Sequence, residues 1–152
     1  MTTLLLYENF IKKKECDAFI KKAKKNVGKG YWVPWEKRRV DVSKDPIIEK
    51  VQKFYNQFNL DFILEQAELC TWNEGSESEL HVHNERGRED TLFNSILYLN
   101  DDFKGGEFMT KNLTFKPTPG TLILFNGRET YHGVKPIIKK ERYSIIFWWA
   151  AI

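Results

Sequence analysis

The first sixty residues carry hydrophobic positions at helical spacing in two segments. Across residues 10–27, apolar side chains recur every three or four positions with lysines between them, which predicts an amphipathic helix that ends at Gly28. A second helix is predicted to begin with Asp45 as its cap and Pro46 at its first helical position. Ahead of both, residues 2–7 have the pattern of a short strand.

From Leu60 onward the pattern changes to short apolar runs separated by turn residues. The runs that predict strands are residues 67–72, 93–99, 121–125 and 144–149. The last two are almost continuously apolar, which is typical of central strands buried on both faces. Pro119-Gly120 predicts a turn with a positive φ at its second central residue.

Helices followed by many short strands indicate an α+β domain whose sheet part is a sandwich or a small barrel. The 152 residues suit a single domain, 1–152, with helical support in residues 1–60 and the sheet core in residues 61–152. No linker, repeat or low-complexity tract interrupts it.

Composition excludes several classes of protein. With 41% hydrophobic and 14% aromatic residues, the chain is expected to be globular rather than disordered. Cys16 and Cys70 lie in apolar patterns and are expected to be buried free thiols, which suits a reducing compartment. The N-terminus lacks a signal-peptide pattern and no segment approaches a membrane span, so we expect a cytoplasmic protein without membrane association. The net charge of +3 indicates no partner, and the lysines of the first helix are expected to face solvent.

The chain has three histidines, His81, His83 and His132. If the segment around the first two is extended, both side chains point to one face, and the third can approach from a neighbouring strand. Such a group can chelate Fe, Zn, Cu or Ni. The competing interpretation is three unrelated structural histidines.

A second set of candidate binding residues begins ten residues after His132. Arg142 and Ser144 share a face of a very apolar predicted strand. A buried arginine requires an anion, and its planar fork matches a carboxylate. The alternative is an arginine at a strand end in water.

Taken together, residues 72–149 resemble the catalytic domain of prolyl-4-hydroxylase-type Fe(II)/2-oxoglutarate oxygenases, most closely the small hypoxia-factor prolyl hydroxylases and their microbial and viral relatives. The family shows an aromatic-x-x-Gly, then five residues, then H-x-D, followed by a Tyr-Leu-Asn strand end, an acidic turn with Gly-Gly, a Pro/Gly turn, a distal histidine and a basic residue. The matching positions here are Trp72, Gly75, His81, Tyr98–Asn100, Gly105–Gly106, Pro119–Gly120, His132 and Arg142.

The resemblance implies a double-stranded β-helix (jelly roll) with two N-terminal packing helices. It implies that His81 and His132 are Fe(II) ligands and that Arg142, with Tyr98 and Ser144, binds the distal carboxylate of 2-oxoglutarate. The implied reaction hydroxylates a C–H bond of a peptide or protein, with prolyl residues the first expectation, and converts 2-oxoglutarate to succinate and CO2. Ascorbate is a further cofactor that the resemblance allows.

The resemblance does not suggest nucleic acid as a substrate, because oxygenases that repair nucleic acids typically carry a second arginine soon after the first, and the chain has none after Arg142. The oligomeric state is left open.

His83 departs from the family pattern, since it replaces the carboxylate ligand. Three hypotheses compete. In the favoured one, His81, His83 and His132 form a three-histidine metal site. In the second, the ligands shift by two residues, so that His83 and Glu85 act with His132. In the third, the carboxylate is lost, leaving a pseudoenzyme or a site for another metal.

Two alternative functions follow from that departure. One is a catalytically impaired jelly-roll protein that binds metal and 2-oxoglutarate, and the other is a three-histidine dioxygenase that does not use 2-oxoglutarate. Arg142 and Tyr98 argue against the second, because a site without the cosubstrate has no need of a buried carboxylate clamp. The aromatic segment 30–35 and Arg38-Arg39 could cover a substrate, although packing on the barrel is the preferred interpretation.

Overall fold

The computed structural model describes residues 4–26, 31–33, 37–84 and 90–151. Within these ranges, two helices and thirteen strands are found. The helices are α1 (Lys13–Lys25) and α2 (Ile47–Asn56). The strands are β1 (Leu4–Tyr7), β2 (Tyr31–Val33), β3 (Lys37–Asp41), β4 (Phe62–Trp72), β5 (Ser78–His81), β6 (Thr91–Tyr98), β7 (Lys104–Gly105), β8 (Phe108–Thr110), β9 (Thr114–Phe115), β10 (Leu122–Asn126), β11 (His132–Val134), β12 (Ile137–Lys139) and β13 (Arg142–Ala151).

The strands form two antiparallel sheets that enclose a cavity. The larger sheet has the order β1-β10-β6-β13-β4-β3-β2, and the smaller one has the order β5-β11-β8-β9. A separate pair joins β12 to β7. This arrangement, with its two helices, is the predicted α+β jelly roll. β13 and β10 are interior strands of the larger sheet, as their apolar sequences predicted.

Side chains of β13 alternate between two environments, because successive residues of a strand point to opposite faces. Ile145, Phe147 and Trp149 belong to the main hydrophobic core, together with apolar residues of both helices. The side chains on the other face line the cavity, and they are Arg142, Ser144, Ile146 and Trp148. One strand therefore holds the helices on one side and builds the candidate site on the other.

α1 begins three residues later than the sequence pattern predicted. The backbone N–H groups of Phe10 and Ile11 donate to the carbonyl oxygen of Gly120, at 2.8 and 3.4 Å, so these residues belong to a turn and the helix begins at Lys13. Gly120 has the positive φ predicted for its turn, +86°, and a Cβ there would lie 2.3 Å from the Ile11 carbonyl oxygen. The predicted stop at Gly28 lies outside the described residues.

The Asp45 side chain contacts the start of α2 as predicted, although Pro46 rather than Asp45 is the N-cap residue. The Asp45 carboxylate accepts a hydrogen bond from the Ile47 backbone N–H at 2.9 Å, which satisfies one of the donors that a helix start leaves unpaired. The helix itself begins at Ile47, one residue after the predicted Pro46. Val51 and Tyr55 are fully buried on its inner face.

The lysine-rich face of α1 is exposed, as expected. Lys13 pairs with Asp17 one helical turn away at 3.1 Å, and Lys22 lies 3.6 Å from Asp45. Neither helix in the described part of the chain is long and apolar enough to cross a membrane.

The β2–β3 hairpin was missed by the sequence patterns. β3 is the polar segment KRRVD, which shows no apolar alternation, and it forms by pairing with β4 near the edge of the larger sheet. Pro34 and Trp35 lie outside the described residues, so their role over the barrel stays a prediction.

Cys16 and Cys70 are buried free thiols, as predicted. Burial raises the pKa of Cys16 to about 11, because a thiolate in the apolar core is poorly solvated. Cys16 belongs to the main core, whereas Cys70 lines the cavity.

Candidate metal centre

A cavity of about 190 Å³ lies between the two sheets. His81, His83 and His132 line one part of it, and Arg142 lines another. The ligand atoms of the three histidines all lie within 4.8 Å of one another. The three histidines are therefore one cluster, and the interpretation of three unrelated structural residues is wrong.

His81 and His132 are brought together by strand pairing. They are direct partners in the register between β5 and β11, with ring centroids 4.5 Å apart. Directly opposite residues of an antiparallel pair carry neighbouring side chains on one face, so pairing alone places these two rings together.

His83 joins the cluster from just beyond the end of a strand. β5 ends at His81, two residues earlier, and both rings face the same cavity, as the i, i+2 spacing predicted. The His83 backbone N–H donates to the carbonyl oxygen of Gly127 at 2.7 Å. This bond to the turn after β10 directs the ring into the same cavity.

Each histidine presents its Nδ1 atom to an oxygen that can only accept a hydrogen bond. The contacts are His81 to Glu79 O at 2.7 Å, His132 to Thr130 O at 2.8 Å and His83 to Asn94 Oδ1 at 2.8 Å. Nδ1 must therefore carry the proton in each ring, which leaves the lone pair of a neutral imidazole on Nε2. Metal-binding histidines are oriented by this kind of contact.

The Nε2 atoms of His83 and His132 are 3.1 Å apart. Two ligands at about 2.1 Å from one ion, at right angles, would be separated by about 3.0 Å. Two lone pairs at this distance repel each other unless a proton or a metal cation lies between them. The donor set and its spacing thus fit a divalent transition metal.

Arg142 is buried at a separate part of the same cavity, with 1% of its surface exposed. Its Nη2 donates to the Tyr98 hydroxyl at 3.1 Å, and its guanidinium carbon lies 5.0 Å from the Trp72 ring centroid and 4.9 Å from that of Tyr98. Its Nε has no hydrogen-bond partner among the described residues, and none of their carboxylates forms an ion pair with it. A buried cation of this kind fits an anionic ligand.

Tyr98 and Ser144, the other two residues that the resemblance implies in cosubstrate binding, lie on adjacent strands. They are direct partners in the register between β6 and β13, and both are buried. Burial raises the pKa of Tyr98 above its usual value of 10, although Arg142 opposes the shift. The hydroxyl therefore stays protonated near neutral pH and can donate a hydrogen bond.

Sequence reasoning missed an ion pair in the cavity wall. Arg39 Nη1 lies 3.0 Å from Oε1 of Glu68, which is fully buried. Glu68 shares its β4 face with Cys70 and Trp72, so a carboxylate on one face of an alternating strand was the available signal. Glu68 thus carries an ion pair with Arg39, whereas Arg142 forms no ion pair with a carboxylate in the part of the chain that the structure describes.

Sequence reasoning also missed Asn94, Gly127 and Trp148 around His83. They are a buried amide, a turn glycine and an aromatic residue in apolar strands, and their types alone gave no signal. Glu85, the alternative third ligand, lies outside the described residues, and that hypothesis stays a prediction.

A sequence model of the 2OG-Fe(II) oxygenase superfamily matches residues 67–150, which is more than half of the chain. Human prolyl 3-hydroxylase 2 is 39% identical over a segment covering 37% of this chain and 9% of that protein. The chain thus matches less than a tenth of the length of this curated relative.

Two solved structures show the same fold. The 2OG complex of a viral collagen prolyl hydroxylase from Paramecium bursaria Chlorella virus-1 has a TM-score of 0.77 and 20% identity, with 98% of this chain and 96% of that chain covered. A Trichoplax adhaerens prolyl hydroxylase, in complex with a hypoxia inducible factor peptide fragment, has a TM-score of 0.72 and 16% identity, with 97% and 83% covered.

Proposed function

Because this chain belongs to the 2OG-Fe(II) oxygenase superfamily, we propose that it is an Fe(II)- and 2-oxoglutarate-dependent dioxygenase that hydroxylates a prolyl-type peptide substrate. One observation carries the proposal. A single cavity joins a cluster of three imidazoles, with ligand atoms within 4.8 Å of one another, to a buried arginine without a carboxylate partner among the described residues. These are the complementary groups for a metal ion and for the distal carboxylate of 2-oxoglutarate.

In this proposal His81, His83 and His132 hold Fe(II) through Nε2. The bound metal, with 2-oxoglutarate and O2, supplies the oxidising chemistry that hydroxylates a C–H bond and yields succinate and CO2. The protein orients the imidazoles through their Nδ1–H donors. Phe108 and Phe125 line the same cavity with apolar surface.

Arg142 binds and orients the distal carboxylate. Its guanidinium is held by the Tyr98 hydroxyl and by the Trp72 and Tyr98 rings, so it is fixed before a ligand arrives. A charged hydrogen bond at a buried site is stronger than one in water. Ser144 adds a hydroxyl on the same wall of the cavity.

The third histidine changes the charge of the site. Three neutral imidazoles leave the metal with one negative charge fewer than two histidines and a carboxylate. We expect this difference to strengthen the attraction of the metal for the dianionic cosubstrate, because Coulomb interactions are strengthened in a buried site.

A prolyl substrate is supported by the relatives described above, which are prolyl hydroxylases, one of them in complex with a peptide fragment. We further propose that the protein acts in the cytoplasm and that ascorbate supports turnover. Microscopy of the tagged full-length protein would test the location.

An anaerobic titration with Fe(II) and 2-oxoglutarate tests the central claim. We expect a metal-to-ligand charge-transfer absorption band that requires both components. Its absence would reject the 2-oxoglutarate site. The Arg142→Leu protein is the matched control, because it keeps the three histidines and should need far more 2-oxoglutarate to form the band.

Succinate release and peptide mass then separate the alternatives. Proline-containing peptides, with ascorbate present, should gain one oxygen atom as succinate is formed. A band without succinate would indicate the catalytically impaired protein. Oxygen consumption that is independent of 2-oxoglutarate would indicate the three-histidine dioxygenase of the other alternative.

A further inference from the structure

The surroundings of His83 fit an imidazole ring in three separate ways. Asn94 Oδ1 lies 2.8 Å from its Nδ1, and the Trp148 ring lies against it with centroids 4.7 Å apart and planes at 37°. On a third side, the backbone of Gly127 approaches the ring closely. A carboxylate at position 83 would face the amide oxygen of Asn94, and two acceptors repel each other.

The orientation of the Asn94 amide is fixed by the larger sheet. Asn94 has no exposed surface, and its Nδ2 donates to the carbonyl oxygen of Phe147 on β13 at 3.2 Å. Nδ2 must face that carbonyl, because a carbonyl only accepts. Oδ1 therefore faces His83, where it accepts from Nδ1.

Gly127 provides the room that this pair needs. A Cβ at position 127 would lie 2.2 Å from Asn94 Oδ1 and 2.6 Å from His83 Nδ1, closer than real Cβ contacts. Any larger residue would displace the amide or the ring. The same glycine holds His83 by its backbone, since its carbonyl oxygen accepts from the His83 N–H at 2.7 Å.

We propose that Asn94 is the positioning residue of His83, and that the third ligand position is built for histidine rather than left by the loss of an aspartate. Asn94 keeps the proton on Nδ1 and turns the Nε2 lone pair towards the Nε2 atoms of His81 and His132. This inference rests on the proposed function, since it takes the three imidazoles to be metal ligands.

Metal affinity measured with Co(II) alone tests the assignment without any need for turnover. Asn94→Leu keeps the approximate size of the side chain and removes the acceptor. We expect Co(II) to bind about 10- to 100-fold more weakly, with an altered visible spectrum, because outer-shell partners of metal-binding histidines typically have effects of this size. If this protein does not fold, Asn94→Ala takes its place.

Asn94→Asp is the conservative variant. Its carboxylate can still accept from His83 Nδ1 but cannot donate to Phe147, so we expect lower thermal stability with Co(II) affinity retained. The matched control is Ser95→Ala, on the opposite face of the same strand. Ser95 Oγ accepts from Trp149 Nε1 at 3.0 Å and shares a hydrogen bond with the Tyr55 hydroxyl at 2.5 Å, so its loss removes two buried hydrogen bonds away from the site, and Co(II) affinity should be unchanged.

The His83→Asp background decides whether Asn94 acts through the ring. There, Asn94→Leu should change Co(II) affinity by less than about 3-fold, because no imidazole is left to orient. His83→Asp alone should bind Co(II) more weakly than the unmodified protein. Tighter binding by His83→Asp, or an equal loss from Asn94→Leu in both backgrounds, overturns the inference.

The same Co(II) measurements distinguish failure of the proposed metal site from failure of the role of Asn94. If the unmodified protein does not bind Co(II), or if His132→Ala binds it equally well, the metal site itself is wrong. If the unmodified protein binds Co(II) through His132 but Asn94→Leu binds it equally tightly, the metal site stands and only the role of Asn94 is rejected.

Discussion

The two ends of the cavity differ in charge and in the way the chain builds them. The arginine end is built by strand alternation, with Arg142 and Ser144 on one face of β13 and Tyr98 opposite on β6. The histidine end is uncharged when the rings are neutral, and one of its members, His83, lies outside any strand. The histidine end offers lone pairs to a cation, and the arginine end offers hydrogen-bond donors to an anion. A substitution at one end should therefore weaken binding there without abolishing binding at the other end.

His132→Ala should have the largest effect on metal binding. His132 lies within hydrogen-bonding distance of His83 and pairs with His81, so its loss removes the ligand between the two. We expect metal affinity to fall by more than about 100-fold, beyond the usual effect of an outer-shell change, and the charge-transfer band to disappear. Isothermal titration with Fe(II) under anaerobic conditions measures the change. Retained affinity would mean that the cluster is not the metal site.

Arg142→Leu should separate the two ends. Removal of one partner of a buried charged pair typically costs 2–5 kcal/mol, so the dissociation constant of 2-oxoglutarate should rise by about 100-fold. Co(II) affinity should stay within about 2-fold. Arg142→Lys keeps the charge without the planar fork, so its 2-oxoglutarate affinity should lie between those of the unmodified protein and Arg142→Leu. A loss of metal affinity equal to that of His132→Ala would show that the ends are not independent.

Gly127→Ala should damage the histidine end by crowding. The added methyl group meets Asn94 and His83, so we expect about a 10-fold loss of Co(II) affinity. 2-Oxoglutarate binding should weaken only to the extent that it depends on the metal. The shorter aspartate of His83→Asp leaves more room, so the same methyl group should have a smaller effect in that background. An equal effect in both backgrounds would contradict crowding of the ring.

Tyr98→Phe should have the smallest effect on the arginine end. It removes the hydroxyl that accepts from Arg142, so 2-oxoglutarate affinity should fall by about 10-fold, in line with one hydrogen bond to a charged group. A dissociation constant measured at several pH values checks the environment of this hydroxyl.

Because burial raises the pKa of Tyr98, the contribution of this residue to stability should be fully present below pH 10 and be lost as the pH rises further. The hydroxyl also stays protonated throughout pH 7 to pH 9. The ratio of the 2-oxoglutarate dissociation constants of Tyr98→Phe and the unmodified protein should therefore be constant over this range. A ratio that falls across this range would show that the hydroxyl ionises early and is not buried as described.

Much of the arginine end could be predicted from the sequence. Arg142 and Ser144 are two residues apart in an apolar strand, and alternation alone puts both on one face. Sequence resemblance added Tyr98 through the Tyr98–Asn100 strand end. The ion pair of Arg39 with Glu68 could not be predicted, because β3 carries no apolar pattern and forms by pairing with β4.

The histidine end was only partly predictable. The three histidines were identified by type and spacing, and the i, i+2 spacing of His81 and His83 predicted that both face one cavity. The hydrogen bond that holds His83 beyond the end of β5 was not predictable, because its partner Gly127 follows β10 and is distant in sequence. A hydrogen bond between segments so far apart has no local signal.

The sequence by itself determined the α+β order of elements, the strands with alternating or continuous apolar residues, the turn at Gly120 and the identity of the candidate ligands. These follow from local periodicity, backbone preference and chemical type. Only the tertiary structure decided which oxygen faces each imidazole and which cation lacks a carboxylate partner among the described residues. The orientation of His83 by Asn94 depends on three strands meeting at one point, and such a meeting is a property of the folded chain.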